Sequence, residues 1–178
     1  DVPGLRVLVP AANAQCREAI EAIVKANPLP TSPCKQGEET SIRVLDGQAQ
    51  AAMIASDVVL LASGTAALEA LLAKRPMVVG YRISALTYRL AMGLGLMKVL
   101  KSAHVGLPNV LAGETLVPEL LQGDCTPANL HPALLRWFCD GDAVAALQPR
   151  FLAIHESLRR AASARAADAV AGLLATPG

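Results

Sequence analysis

The chain has 178 residues, 53% hydrophobic but only 3% aromatic, and a net charge of +1. That length suits one domain or slightly more, able to bury roughly 70% of its unfolded surface, which argues against disorder and for a core of Leu, Val, Ile and Ala. Scattered basic residues with few aromatics to stack on bases argue against nucleic acid, and Cys16, Cys34, Cys125 and Cys139 with His104, His131 and His155 form neither a C-x-x-C nor a ligand pattern; no metal, cofactor or disulfide framework is expected, and a reducing cytosol is the default.

Residues 1–9 lack the basic and apolar regions of a signal peptide and read as the approach to a strand, so the chain is expected to begin partway through a larger protein. Short β-branched runs at Arg6–Pro10, Ser41–Leu45, Asp57–Ala62 and Pro76–Gly80 read as strands buried on both faces. Helical patterns at Gln15–Lys25, Gln48–Ala55 and Ala66–Ala73 separate them. The alternation predicts an α/β fold, a parallel sheet with right-handed crossovers flanked by helices. Asn27–Glu39, with three prolines, reads as a surface loop.

Ser84–Leu96 starts as a helix with a Ser cap, and Gly93 and Gly95 each weaken it by about 1 kcal/mol relative to Ala. His104–Gly113 reads as a loop, followed by helices at Val117–Gln122, Pro127–Cys139 and Asp142–Leu174. Leu147, Phe151, Ile154 and Leu158 form one apolar stripe in the last of these, with Pro149 marking a start or kink. No run of about 18 uninterrupted apolar residues occurs, although mean hydropathy is +0.39. The domains are expected at residues 1–113 and 114–178, the second a helical extension packed on the first or exchanged with a partner subunit.

The sharpest local signal is Ser63-Gly64-Thr65, where the third strand turns into a helix. Such turns lie at the carboxyl edge of a parallel sheet, where open α/β folds place ligands. Gly64 lets the backbone approach closely, and the hydroxyls of Ser63 and Thr65 stand beside the unpaired amides of a helix N-terminus, a natural seat for a diphosphate. Glu69, four residues after Thr65, projects from the same side and could accept from a ribose diol. The competing reading is a plain helix cap with Glu69 complementing the dipole. A capping box, however, needs its Glu three residues after the cap, and three before Glu69 stands Ala66, which cannot cap.

Three other positions carry weaker signals. Asn109 in Leu107-Pro108-Asn109 could meet a phosphate and a sugar hydroxyl, or make its own turn. Arg82 follows the fourth strand and could meet an anion, or sit solvated. Leu45-Asp46-Gly47 could line a base pocket, or be a routine Asp-Gly turn. No nucleophile–base arrangement can be assembled from the histidines.

Taken together, Leu61–Glu69, Leu72–Arg82 and Leu107–Gly113, in this order and spacing, resemble lipid-A-disaccharide synthase. Val9-Pro10 with Asn13, the Leu45–Gly47 turn and Val117–Leu121 extend the likeness over nearly the whole chain. The resemblance implies the C-terminal, donor-binding domain of a GT-B glycosyltransferase, a Rossmann-like half that faces a second half across a cleft. The family joins a UDP-activated 2,3-diacylglucosamine to 2,3-diacylglucosamine 1-phosphate, inverting the anomeric centre and releasing UDP. Transferred onto this chain, Ser63, Gly64 and Thr65 would hold the diphosphate, Glu69 the ribose, Asn109 the nucleotide near its phosphates and Leu45, Asp46 and Gly47 the uracil end, with Arg82 as an added anion contact.

The same resemblance places the catalytic carboxylate in an N-terminal half and a phosphate loop just before Asp1, so no catalytic residue is expected in this chain and it should be inactive alone. It implies a homodimer with exchanged C-terminal helices and peripheral contact with the cytoplasmic face of a Gram-negative inner membrane. The apolar run Leu86–Leu100, edged by Arg89, Lys98 and Lys101, fits that contact or a buried helix. His104 and Gly106 depart from the family pattern, and Met92–Ala103 is longer than in many relatives. Two alternatives remain open: another GT-B enzyme of UDP-sugars, and a non-catalytic nucleotide-binding or dimerisation module.

Overall fold

The structure is a computed structural model that describes residues 2–27, 41–62, 64–82 and 104–159, and singly 167, 170 and 171. Elements alternate from the start: β1 (Arg6–Ala11), α1 (Ala14–Ala26), β2 (Ser41–Asp46), α2 (Ala49–Ala55), β3 (Val59–Leu61), α3 (Thr65–Leu72) and β4 (Met77–Tyr81). Then come α4 (Leu107–Ala112), β5 (Glu119–Leu121), a 3-10 turn (Gln122–Asp124), α5 (Pro127–Cys139) and α6 (Gly141–Leu158). Every strand pairing is parallel. The predicted α/β character holds, and its cause is legible: β-branched runs too short for helices, separated by Ala- and Leu-rich segments.

Local chemistry sets the helix starts. The Asn13 side chain accepts from Cys16 N at 2.8 Å to open α1, and Asp140 Oδ1 accepts from Ala143 N at 2.9 Å to open α6. Phe151, Leu71, Met77, Val78 and Val79 are fully buried, with Trp137 and Leu147 beside them. The core therefore lies between β4 and the helices α3, α5 and α6. The α6 stripe runs as predicted through Leu147, Phe151 and Ile154, but Leu158 ends exposed. Pro149 is accommodated inside α6.

Two expectations are corrected. Val117–Gln122 is not a helix: Glu119–Leu121 forms β5 and pairs with β4. Pro118 restricts Val117 to an extended backbone, and the free edge of β4 offers a partner. His104–Gly113 is not all loop, because Leu107–Ala112 forms α4, with Pro108 in its first turn and Gly113 at φ 72° closing it. Among the described residues the parallel strands pair in two groups, β1 with β2 and β3 with β4 and β5, as expected of parallel strands flanked by helices. The expectations for Asn27–Glu39 beyond Asn27, for Ser84–Leu96, for Leu86–Leu100 and for most of the chain after Arg159 lie outside the described residues.

Pro118 also explains a contact across the core. Val79 N donates to Pro118 O at 2.9 Å, so parallel alternation would have the N–H of residue 118 donate to Met77 O. Proline has none. Trp137 Nε1 donates to Met77 O instead, at 3.1 Å and buried, which ties α5 to β4.

Candidate functional site

The carboxyl ends of β3 and β4 lie side by side, because Leu61 pairs with Val79. Gly64 and Thr65 follow the first and Arg82 the second, so all three belong to one edge of the sheet, and all three are exposed. Gly64 adopts φ 125°, ψ −155°, backbone that side chains rarely enter, and as N-cap of α3 it makes no side-chain hydrogen bond. Of the first amides, Ala67 N bonds back to Gly64 O at 3.2 Å. Among the described residues no side chain caps this glycine start, and the leading N–H groups of α3 have no intrahelical partner. Ser63 lies outside the described residues.

Glu69 is exposed, one turn beyond Thr65, and borders a small pocket of about 170 Å³ with Gln50, Met53 and Ile54 of α2. This pocket joins the Glu69 face of α3 to α2, the helix that follows the Leu45–Gly47 turn. Gly47 at φ 63° and Gln48 at φ 57° reverse the chain there, and Gly47 N donates to Ala11 O at 2.8 Å. Asp46 is already engaged: Arg17 Nε donates to its Oδ1 at 2.5 Å while the same guanidinium reaches Glu21 and Val44 O. The Asp46 hydrogen bond, then that of Glu21, raises the Arg17 pKa further above its ordinary value. What the turn offers a ligand is its main chain and the half-buried Leu45.

Asn109 does not fit the role the resemblance gave it. Its side chain is fully buried and its groups are spent internally. Nδ2 donates to Val117 O at 2.9 Å and Glu119 Oε1 at 2.7 Å; Oδ1 accepts from Leu116 N at 2.8 Å and Val117 N at 3.0 Å. Two donor hydrogens and two lone pairs exhaust an amide. The expected nucleotide contact is corrected to a structural staple between α4 and the lead-in to β5.

Sequence reasoning missed Glu119, the other half of that staple. Its two oxygens accept from Val105 N at 2.9 Å and Gly106 N at 3.0 Å as well as from Asn109. A Cβ on Gly106 would stand 3.0 Å from Glu119 Oε1, so the glycine that departs from the family pattern is where this carboxylate closes in. The signal was the Pro118-Glu119 pair, obscured by reading it as helical.

The fold defines an α/β domain whose β3 and β4 end at one edge, the place where open α/β folds put their ligands. Comparison with known proteins narrows the class: the family model described as lipid-A-disaccharide synthetase matches residues 1–171. The chain belongs to that family. It is 57% identical over 173 residues to lipid-A-disaccharide synthase of Xanthomonas axonopodis pv. citri, covering 97% of this chain and 37% of that protein. For the synthase of Xylella fastidiosa strain M12 the identity is 50%, covering 97% of this chain and 42% of the relative. The chain therefore spans about two fifths of the length of such relatives.

Proposed function

We propose that this chain binds the UDP part of a diacylglucosamine donor and belongs to a glycosyltransferase that builds lipid A disaccharide. The observation that carries this reading is the uncapped glycine start of α3 with an exposed acid one turn later. The amides of the first turn and the Thr65 hydroxyl take the diphosphate, with Ser63 beside them. Glu69 takes the ribose hydroxyls, the main chain of Leu45–Gly47 the uracil, and Arg82 adds positive charge at the same edge. Helix-terminal amides stabilise the dianion that develops as UDP leaves, in the place a metal ion takes in other transferases. The base that deprotonates the acceptor is supplied from outside these residues.

In the full-length protein this domain closes on a partner domain over 2,3-diacylglucosamine 1-phosphate, inverts the anomeric centre and works at the cytoplasmic face of the inner membrane, as a dimer with exchanged C-terminal helices. Among the described residues no helix is long and apolar enough to cross a membrane; the acylated substrates are met by peripheral contact.

Calorimetry tests the site. UDP binds and ADP does not, and Glu69→Ala weakens UDP by about 1–3 kcal/mol. Equal UDP affinity in wild type and variant removes Glu69 from the site. For the reaction, full-length protein converts the two diacyl monosaccharides to acylated disaccharide; no product, beside an active synthase control, favours another UDP-sugar enzyme.

A further inference from the structure

Arg17 lies one turn after Asn13, the cap that opens α1 directly behind β1. Its guanidinium uses all three nitrogens: Nη1 donates to Glu21 Oε1 on the same helix at 2.7 Å, Nη2 to Val44 O at 3.2 Å and Nε to Asp46 Oδ1 at 2.5 Å. The strand register explains why Val44 O takes a side-chain donor. Ser41 N donates to Leu5 O and Gly47 N to Ala11 O, so the odd positions of β2 bond to β1 and the main chain of Val44 faces away from it. Arg17 thus meets β2 where the strand ends and the chain turns. That turn is demanding, with Gly47 at φ 63° and Gln48 at φ 57° in succession, and a non-glycine residue keeps left-handed backbone only where its surroundings fix it. Two long-range bonds do so, Gly47 N to Ala11 O at 2.8 Å and Arg17 Nε to Asp46 Oδ1. In the second pair the Arg17 side chain is 29% exposed and that of Asp46 78%, so Arg17 is the anchored partner and the turn is what it holds.

We infer that Arg17 is the positioning residue of the nucleobase seat: through Val44 O and the Asp46 carboxylate it holds the Asp46-Gly47-Gln48 turn in the one shape whose main chain recognises uracil. The inference rests on the reading of Leu45–Gly47 as the uracil end and adds the group that makes this turn selective. Asp46 acts through Arg17 and the turn, and its carboxylate touches no ligand. Selection of the base requires such a hold. Uracil and cytosine share one ring, but uracil presents N–H and a carbonyl oxygen where cytosine presents a bare nitrogen and an amine, so donor and acceptor are exchanged. A turn free to flip one peptide plane offers N–H or C=O at the same place and accepts both bases; a turn fixed at both ends offers one of them and leaves the wrong base with an unmatched group. An isolated exposed ion pair contributes little. Here the rigid guanidinium fork joins the acid to a main-chain carbonyl of the preceding strand, a geometry that a single ammonium does not reproduce.

Calorimetric titration of the full-length gene product with UDP and with CDP tests the assignment. Wild type is expected to prefer UDP. Arg17→Met is expected to lose about tenfold in UDP affinity, the size of one misplaced hydrogen bond, while its CDP affinity stays, so the preference narrows by that factor. Arg17→Lys, which keeps the charge on α1 but cannot bridge Val44 O and Asp46 at once, is expected to lose the same preference and stands in for Arg17→Met if that variant does not fold. Asp46→Ala is expected to match them, and the double variant Arg17→Met with Asp46→Ala to be no worse than either, because the two side chains act as one unit. Full preference in either Arg17 variant, equal loss of UDP and CDP, or a further tenfold loss in the double variant overturns the inference and leaves the uracil seat in place. Wild type that binds UDP and CDP equally overturns the reading of the turn as that seat, and the role of Arg17 with it.

Discussion

Replacing Asn109 with Ala removes the donor and acceptor that join α4 to the start of β5. Four hydrogen bonds of 2.7–3.0 Å are lost, in a residue with no exposure. Leu116 N, Val117 N and Val117 O lose their partner, whereas Glu119 Oε1 keeps Gly106 N. At about 1 kcal/mol per hydrogen bond, with more for groups left dry and unpaired, the expected loss is about 4 kcal/mol, a large fraction of a domain's 5–15 kcal/mol. Urea unfolding followed by circular dichroism measures it. Asn109→Asp keeps the shape but sets a second carboxylate beside Glu119. Like charge and burial raise the affinity of that pair for a proton in the folded state, so the folded protein binds more protons than the unfolded one. Its stability falls as pH rises through the raised value, and the Asn109→Asp deficit shrinks between pH 7 and about pH 5. A variant Asn109→Ala within about 1 kcal/mol of wild type, or one that unfolds normally yet loses UDP binding, refutes the staple and restores Asn109 as a ligand contact.

Other substitutions probe the edge and the core. Gly64→Ala forces a side chain into φ 125°; strain of about 1–3 kcal/mol is expected in thermal unfolding, together with weaker UDP binding as the α3 amides move, and unchanged values of both would show that the turn does not need glycine. Trp137→Phe leaves Met77 O without the indole donor, and a loss of about 1–3 kcal/mol in chemical denaturation is expected; no loss would mean that the carbonyl finds another partner. Lys74, whose Nζ lies 2.7 Å from His155 Nδ1, has its pKa lowered by burial, partly offset by the charge of Glu156. Between the lowered value and the ordinary 10.5, the unfolded chain holds more protons than the folded one, so stability rises with pH there. Thermal scans of Lys74→Met should lack that rise, and an identical pH slope in variant and wild type would refute the desolvation.

Much of the molecule is dictated locally. Alternating β-branched and Ala-rich segments set β1 to β4 and α1 to α3, because a strand buried on both faces and a helix with one apolar stripe have different periods. Asn13 and Asp140 cap their helices through contacts within three residues, which sequence spacing expresses directly. The Gly64-Thr65 start of α3 and the exposure of Glu69 follow from the same kind of short-range logic. So does the turn at Gly47 and Gln48, where Gly at a left-handed position is its own signal.

What the tertiary structure alone decided depends on partners distant in the chain. Val117–Leu121 is extended because the open edge of β4, some forty residues earlier, offers hydrogen bonds that outweigh any helical preference of Glu-Leu-Leu. Asn109 is a staple because folding brings Leu116, Val117 and Glu119 around its amide; an Asn free to bind a phosphate and an Asn buried in a polar knot look the same in sequence. Whether β1 and β3 touch is likewise a property of the assembled sheet, since hydrogen bonding between strands carries no mark in the residues of either one.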